Sequence, residues 1–320
     1  MGISVLSLFD GLAGARESLK QAGIEVDKYY ASEIEEPAMK VANKNYPDIV
    51  QLGDVCKIKG EDYKDIDLLI GGSPCQSLSS LVHVTKGIPK GLDGKSKLFF
   101  EYLRIKQEAN PKYFFLENVA SMKKKDRDYI TACLGVEPVF IDSSILTPQI
   151  RARYYWTNIP ILPLPAATNI KFQDILEEGG YTEREKSVCI LATTYRADAR
   201  NYLLKANRQM VFTRPVKRYK NTIILDEKDH YELLLSHGYK YNKKAIEELR
   251  NYIRKLTPLE CERCQGLPDN YTLLDGVTDK GRTMMVGNGF SIPVVSHLLQ
   301  GLKPENKNKM NSHAISVPLW

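Results

Sequence analysis

The apolar run Asp67-Leu68-Leu69-Ile70 leads into Gly71-Gly72-Ser73-Pro74-Cys75-Gln76. A lone cysteine in a large chain is most often a small buried hydrophobe. Two glycines, a serine and a proline put Cys75 instead at the mouth of a strand, where its thiolate can meet a substrate. A second apolar run, Tyr113-Phe114-Phe115-Leu116, ends in Glu117-Asn118-Val119. By itself Glu117 reads as a surface carboxylate or a helix cap. At the mouth of a neighbouring strand it becomes an acid within reach of Cys75, and a nucleophile paired with an acid is what addition to an electron-poor ring requires.

Three further strand ends carry chemistry. After Ile3–Leu8 comes the turn Phe9-Asp10-Gly11-Leu12-Ala13-Gly14. It lacks the full G-x-G-x-x-G run, which argues against a dinucleotide. Glu33 ends the next strand, where an acid suits a ribose diol, and Asp54 ends a third, where it can accept from an adenine amino group. Together they describe an adenosine-type cofactor without a pyrophosphate.

These groups need a frame. Short apolar runs alternate with helical patterns over the first 160 residues, with strands at Ile3–Leu8, Lys28–Ser32, Asp67–Ile70, Tyr113–Leu116, Val139–Ile141 and Tyr154–Trp156. Continuous apolar runs fit strands buried on both faces. Pro37 suits the first turn of a helix. The pattern predicts a doubly wound, mostly parallel α/β sheet, with functional groups at the carboxyl ends of its strands. Pro160, Pro163 and Pro165 mark a boundary. The expected division is 1–169 as the catalytic and cofactor-binding domain and 170–255 as a small recognition domain. Residues 256–302 are read as a return to the first domain, closing in a helix at Ser291–Leu302, and 303–320 as a polar tail.

Charge sharpens the reading of the second domain. Of the net +6, residues 1–170 contribute 21 basic and 21 acidic side chains and residues 256–320 six of each, so the excess lies in 171–255, with 18 basic against 12 acidic. Arg196–Lys220 holds eight basic residues and the single acid Asp198. A solvated face usually mixes signs, so this clustering points to a polyanion. No stretch approaches the roughly 18 apolar residues of a membrane span, and Met1–Leu6 reads as a first strand, not a signal peptide. The six scattered cysteines read as reduced, intracellular thiols. Cys261-Glu262-Arg263-Cys264 is half a zinc site with no second half, so no metal is expected.

The chain resembles the cytosine carbon-5 DNA methyltransferase family along nearly its whole length. Phe9–Gly14 resembles the family's first motif, Pro74-Cys75-Gln76 the nucleophile motif and Glu117-Asn118-Val119 the acidic motif. Gln149-Ile150-Arg151-Ala152-Arg153 resembles the paired-arginine motif and Gly287-Asn288-Gly289 the last cofactor motif. Leu8–Gly11, Ile70–Cys75 and Arg151–Trp156 are most similar to the catalytic domain of animal de novo methyltransferases. Gln76 and Asn288 revert to the broader pattern, and a bacterial or phage source is expected.

The resemblance implies the S-adenosylmethionine-dependent methyltransferase fold, with Cys75, Glu117, Arg151 and Arg153 as catalytic residues. The arginines would hold the base carbonyl and an adjacent phosphate. It implies cofactor contacts at Phe9, Asp10, Gly11, Gly14, Glu33, Ile34, Asp54, Val55, Leu98 and Asn288; for Phe9, Ile34 and Leu98 the residues alone would read as core packing. Double-stranded DNA is the implied partner. Ser79, Leu81 and Val82, within a mobile loop at Ser77–Lys97, are expected to contact it, as are Arg196, Arg200, Arg208, Arg214 and Arg218. A monomer working in the cytoplasm is expected, with a restriction endonuclease as an associated partner. Two alternatives stand beside this reading. One is a transfer-RNA methylase of the same fold, although the Cys-Phe-Thr tripeptide of that branch is absent; the other is a DNA-binding homologue that has lost catalysis.

Overall fold

The computed structural model describes residues 2–73, 83–85, 88–90, 97–199, 202, 208–219, 222–225, 231–234, 247 and 250–303. Among the described residues before 160 the strands are β1 (Ile3–Leu8), β2 (Val26–Ser32), β3 (Val50–Gln51), β4 (Leu68–Gly71), β5 (His83–Thr85), β6 (Ile88–Lys90), β7 (Tyr113–Val119), β8 (Val139–Asp142) and β9 (Ala152–Thr157). Seven build one sheet in the order β3-β2-β1-β4-β7-β9-β8, while β5 and β6 pair with each other. The first five strands of that order run parallel. β9 is antiparallel to both β7 and β8. The segment 143–151 between β8 and β9 is too short for the crossover of a dozen or more residues that a parallel return requires.

The order reverses between β1 and β4, the place where ligands enter open sheets of this kind. Four helices follow the early strands: α1 (Gly14–Gln21), α2 (Glu36–Asn45, with Pro37 in its first turn), α3 (Lys97–Ala109) and α4 (Lys124–Leu134). One sheet face buries Leu6, Leu8, Leu69, Leu116 and Trp156 against Phe99, Tyr102 and Ile105 of α3 and Ile130 and Leu134 of α4. The amphipathic spacing of α3 is what directs those three side chains to one side.

The described residues divide into two compact units. The first holds the described residues within 1–142, 152–166 and 292–303, and its last helix, α7 (Ile292–Leu299), packs against α1. The second holds 143–151 and 167–291. It contains α5 (Pro258–Gln265), α6 (Asp279–Asn288), the pair β10 (Val211–Phe212) and β14 (Ile253–Arg254), and the antiparallel sheet β11 (Val216–Tyr219), β12 (Thr222–Leu225) and β13 (Tyr231–Leu234). Its core gathers Ala197, Ala199, Tyr202, Met210 and Phe212.

This corrects the expectation that 256–302 returns as a block to the first domain. Residues 256–291 belong to the second unit, because α5 packs on the turn Phe172–Ile175 and α6 on the turn Thr194–Arg196. The closing helix is also shorter than expected: it runs Ile292–Leu299 and tightens into a 3-10 turn at Gln300–Leu302. Among the described residues no helix is long and apolar enough to cross a membrane.

Candidate active site

The turn after β1 is built from left-handed backbone. Phe9, Gly11 and Ala13 have φ of 59°, 60° and 64°, a region that costs a side chain and suits glycine. A Cβ placed on Gly11 would have nothing within 4 Å, so the turn faces open space at that point. The Gly11 N–H donates to Glu33 Oε2 at 2.8 Å, and the N–H groups of Ile34 and Glu35 donate to Glu33 Oε1 at 2.7 and 2.9 Å. Glu33 therefore ties the end of β2 to the turn after β1. Ser32 Oγ donates to the Gly53 carbonyl at 2.8 Å, which draws in the next strand end, where Asp54 accepts from the Cys56 N–H at 3.0 Å. Gly53 likewise has open space where a Cβ would stand. Ile34 is 69% exposed, a large apolar side chain left bare beside an acid.

Asp10 is buried within the same turn and accepts from the Tyr29 hydroxyl at 2.6 Å. Burial raises its pKa from 3.8 to about 7, hydrogen bonds from Ser7 and Tyr29 work the other way, and the charge of Glu33 adds to the rise. Not every residue of this group presents a side chain to a ligand. Val55 is 4% exposed and belongs to the core, and Gly14 is buried at the start of α1. Phe9 and Leu98 are half-buried against that core.

β4 and β7 are neighbours, with Gly71 opposite Leu116, so Glu117 continues one strand where Gly72 and Ser73 continue the other. Glu117 is held by Arg153 on β9, whose Nε lies 2.7 Å from Glu117 Oε1, the two side chains being 9% and 13% exposed. Arg153 Nη1 also donates to the Ala152 carbonyl at 2.9 Å. Asn118 is 2% exposed, and its amide nitrogen lies 3.3 Å from both the carbonyl and the hydroxyl oxygen of Ser73. Its own carbonyl oxygen accepts from the Val119 N–H at 2.8 Å. The strand carrying the acid thus grips the strand end two residues before Cys75. Sequence reasoning passed over Asn118; its place directly after Glu117 at a buried strand end was the available signal.

Each of the paired arginines has protein partners. Arg153 holds Glu117. Arg151, 3% exposed, donates to the carbonyls of Ile190 at 2.8 Å and Gly289 at 2.7 Å, and approaches that of Gly287 at 3.4 Å. It precedes β9, so the alternation that would have set it beside Arg153 on one strand face does not apply; it braces the second unit. Asn288 ends α6 in that unit. Cys261 and Cys264 lie buried on α5, their thiols pushed up by burial, as suits core side chains.

Cys75, Ser79, Leu81, Val82 and Arg200 lie outside the described residues, and Arg218 is described only in its backbone, on β11. Arg196 is exposed, Arg208 donates to Thr193 Oγ1 at 2.9 Å, and exposed Arg214 lies 5.1 Å from the Tyr252 ring centre.

The profile of the C-5 cytosine-specific DNA methylase family matches residues 3–134 and 165–303. Type II methyltransferase M1.ScrFI of Lactococcus lactis subsp. cremoris is 28% identical over 304 residues, spanning 91% of this chain and 75% of its own. Type II methyltransferase M.NlaX of Neisseria lactamica is 28% identical over 320 residues, spanning 93% of this chain and 96% of its own. Among solved structures, the Entamoeba histolytica methyltransferase EhMeth shares the fold with a TM-score of 0.69 at 18% identity, covering 95% of this chain and 99% of its own. The chain belongs to the C-5 cytosine-specific DNA methylase family and is a DNA cytosine-5 methyltransferase.

Proposed function

We propose that this protein methylates carbon 5 of a cytosine flipped out of duplex DNA, with S-adenosylmethionine as methyl donor and Cys75 as the nucleophile. The observation that carries the proposal is the bracket between β4 and β7. Glu117, fixed by Arg153, stands on the strand whose next residue, Asn118, holds Ser73, from which the chain continues through Pro74 to Cys75.

The open turns at Gly11 and Gly53, the carboxylates of Glu33 and Asp54 and the bare Ile34 fit an adenosine moiety. Glu33 would hold the ribose, Asp54 the adenine amino group, and Phe9 and Ile34 the faces of the base. When bound, S-adenosylmethionine supplies an electrophilic methyl group. Cys75 adds as a thiolate to carbon 6 of the cytosine, turning carbon 5 into an enamine-like nucleophile. Glu117 contacts the ring nitrogen and amino group and stabilises the charge that develops. After carbon 5 has taken the methyl group it loses its proton, the carbon 6–sulfur bond breaks, and the thiolate leaves. Extruding the base costs about a few kcal/mol.

The basic excess of 171–255 supports a role for the second unit in recognising DNA, with Arg196, Arg208 and Arg214 among its contacts. The type II relatives support a restriction endonuclease of the same site specificity as partner, and a cytoplasmic location. Bisulfite sequencing of DNA from a host expressing the chain tests the proposal. Protection of cytosines within one short sequence is expected with the wild type and absent with Cys75→Ser. Equal protection by both proteins would reject Cys75.

A further inference from the structure

Tyr195, in the second unit, carries two cations on one ring. The guanidinium carbon of Arg196 lies 5.3 Å from the ring centre and Lys280 Nζ 5.2 Å from it. Arg196 Nε also donates to the Tyr195 hydroxyl at 2.9 Å. Among the described residues no carboxylate pairs with either cation; Asp279, the neighbour of Lys280, turns to Arg282 at 3.6 Å. Like charges held against one aromatic ring repel, and an anion that reaches both removes that cost.

The backbone leading to Tyr195 is closely packed. A Cβ on Gly287 would stand 2.1 Å from the Leu191 carbonyl carbon and 2.3 Å from the Ala192 nitrogen, so α6 lies directly on the backbone leading to Tyr195. Arg151 fastens the Ile190 carbonyl together with that of Gly289. Helix stability does not account for Lys280, because a cation in the first turn opposes the helix dipole.

We propose that Arg196 and Lys280, steadied by Tyr195, form a preformed site for one backbone phosphate of duplex DNA. Lys280 thereby extends the DNA-binding surface beyond 170–255 into α6. The proposal rests on the DNA methyltransferase reading and deepens it. Such a contact is independent of sequence and carries a fixed salt dependence, since each neutralised phosphate contributes about 0.9 to the slope of log K against log salt. At 0.1 M salt that corresponds to about eightfold in affinity.

The test is fluorescence-anisotropy titration of mixed-sequence duplexes at four salt concentrations, for wild type, Lys280→Ala, Lys280→Arg and Tyr195→Ala, each checked for an unchanged melting temperature. Lys280→Ala is expected to flatten the slope by about one unit and to weaken all duplexes alike, by about eightfold at 0.1 M salt. Lys280→Arg should keep the wild-type slope, and Tyr195→Ala should fall between the two. An unchanged slope for Lys280→Ala overturns the proposal, as does a loss confined to one sequence. Wild-type protein that bound duplexes without methylating any DNA would defeat the methyltransferase reading, while the slopes would still decide the phosphate site.

Discussion

Asp10 makes the turn beside the candidate cofactor site sensitive to pH. Its carboxyl is buried and its pKa stands at about 7 in the folded chain against 3.8 for the ordinary group, a rise of about three units. At 1.36 kcal/mol per unit this is about 4 kcal/mol. The sign follows from which state ionises first. Below pH 3.8 the group is neutral in both states and its full contribution to stability is present. Between 3.8 and about 7 the unfolded chain gives up its proton first, so stability falls by about 1.4 kcal/mol per pH unit. Above about 7 the loss is complete. Asp10→Asn keeps an oxygen to accept from Tyr29 and removes the titration. Urea unfolding of both proteins at pH 5 and pH 8 should therefore show the wild type losing about 2–3 kcal/mol relative to the variant, the part of the total that falls between those two pH values. If the two proteins ran parallel across that range, Asp10 would be ionised in the folded state and the buried-acid argument would be wrong.

Breaking the Glu117–Arg153 pair should act on chemistry more than on cofactor binding. Glu117→Gln is expected to lower kcat by about a hundredfold to ten-thousandfold. Arg153→Ala should follow it in kcat, with S-adenosylhomocysteine affinity by calorimetry kept in both. The double variant should be little worse than the poorer single one; additive losses would mean that Arg153 works elsewhere. Gly287→Ala should destabilise the second unit by about 1–3 kcal/mol or more, because the added methyl meets backbone atoms and not a side chain that can swing away. A thermal melt that left this variant at the wild-type temperature would refute that close approach.

Much of the first unit was legible because its signals are local. The continuous apolar runs at 68–71 and 113–116 could hardly be anything but central strands, and Pro37 announced the first turn of α2. The bounds of β3 were harder to see than the strand end at Asp54, since two residues at Val50–Gln51 carry no periodicity and their pairing depends on Tyr30 and Ala31 of β2. The second unit hid for another reason. Its interior is held by buried charges that pair in three dimensions: Glu262 accepts from Thr272 and Arg282, ten and twenty residues on, and Glu260, fully buried, takes Arg254 at 2.7 Å while capping α5 through Thr257. Read along the chain, those residues look like a polar helix surface, which does not tell that 256–291 joins the second unit. At the site itself, spacing does not tell what each residue holds. Glu117 and Glu33 were legible as strand-end acids. That Arg151 braces carbonyls and Asn118 grips Ser73 depends on neighbours from other strands and turns.

One bond decides the chemistry, that between the sulfur of Cys75 and carbon 6 of the target cytosine. Duplex DNA carrying 5-fluorocytosine in the methylated sequence, incubated with the protein and S-adenosylmethionine, tests it most directly, because fluorine at carbon 5 replaces the proton whose loss frees the thiolate. The predicted result is a covalent protein–DNA complex that survives denaturation, with the nucleotide mapped by mass spectrometry to the peptide containing Cys75 and no complex from Cys75→Ser. An adduct on Cys56, Cys133 or any other cysteine, or methyl transfer by Cys75→Ser at the wild-type rate, would contradict it.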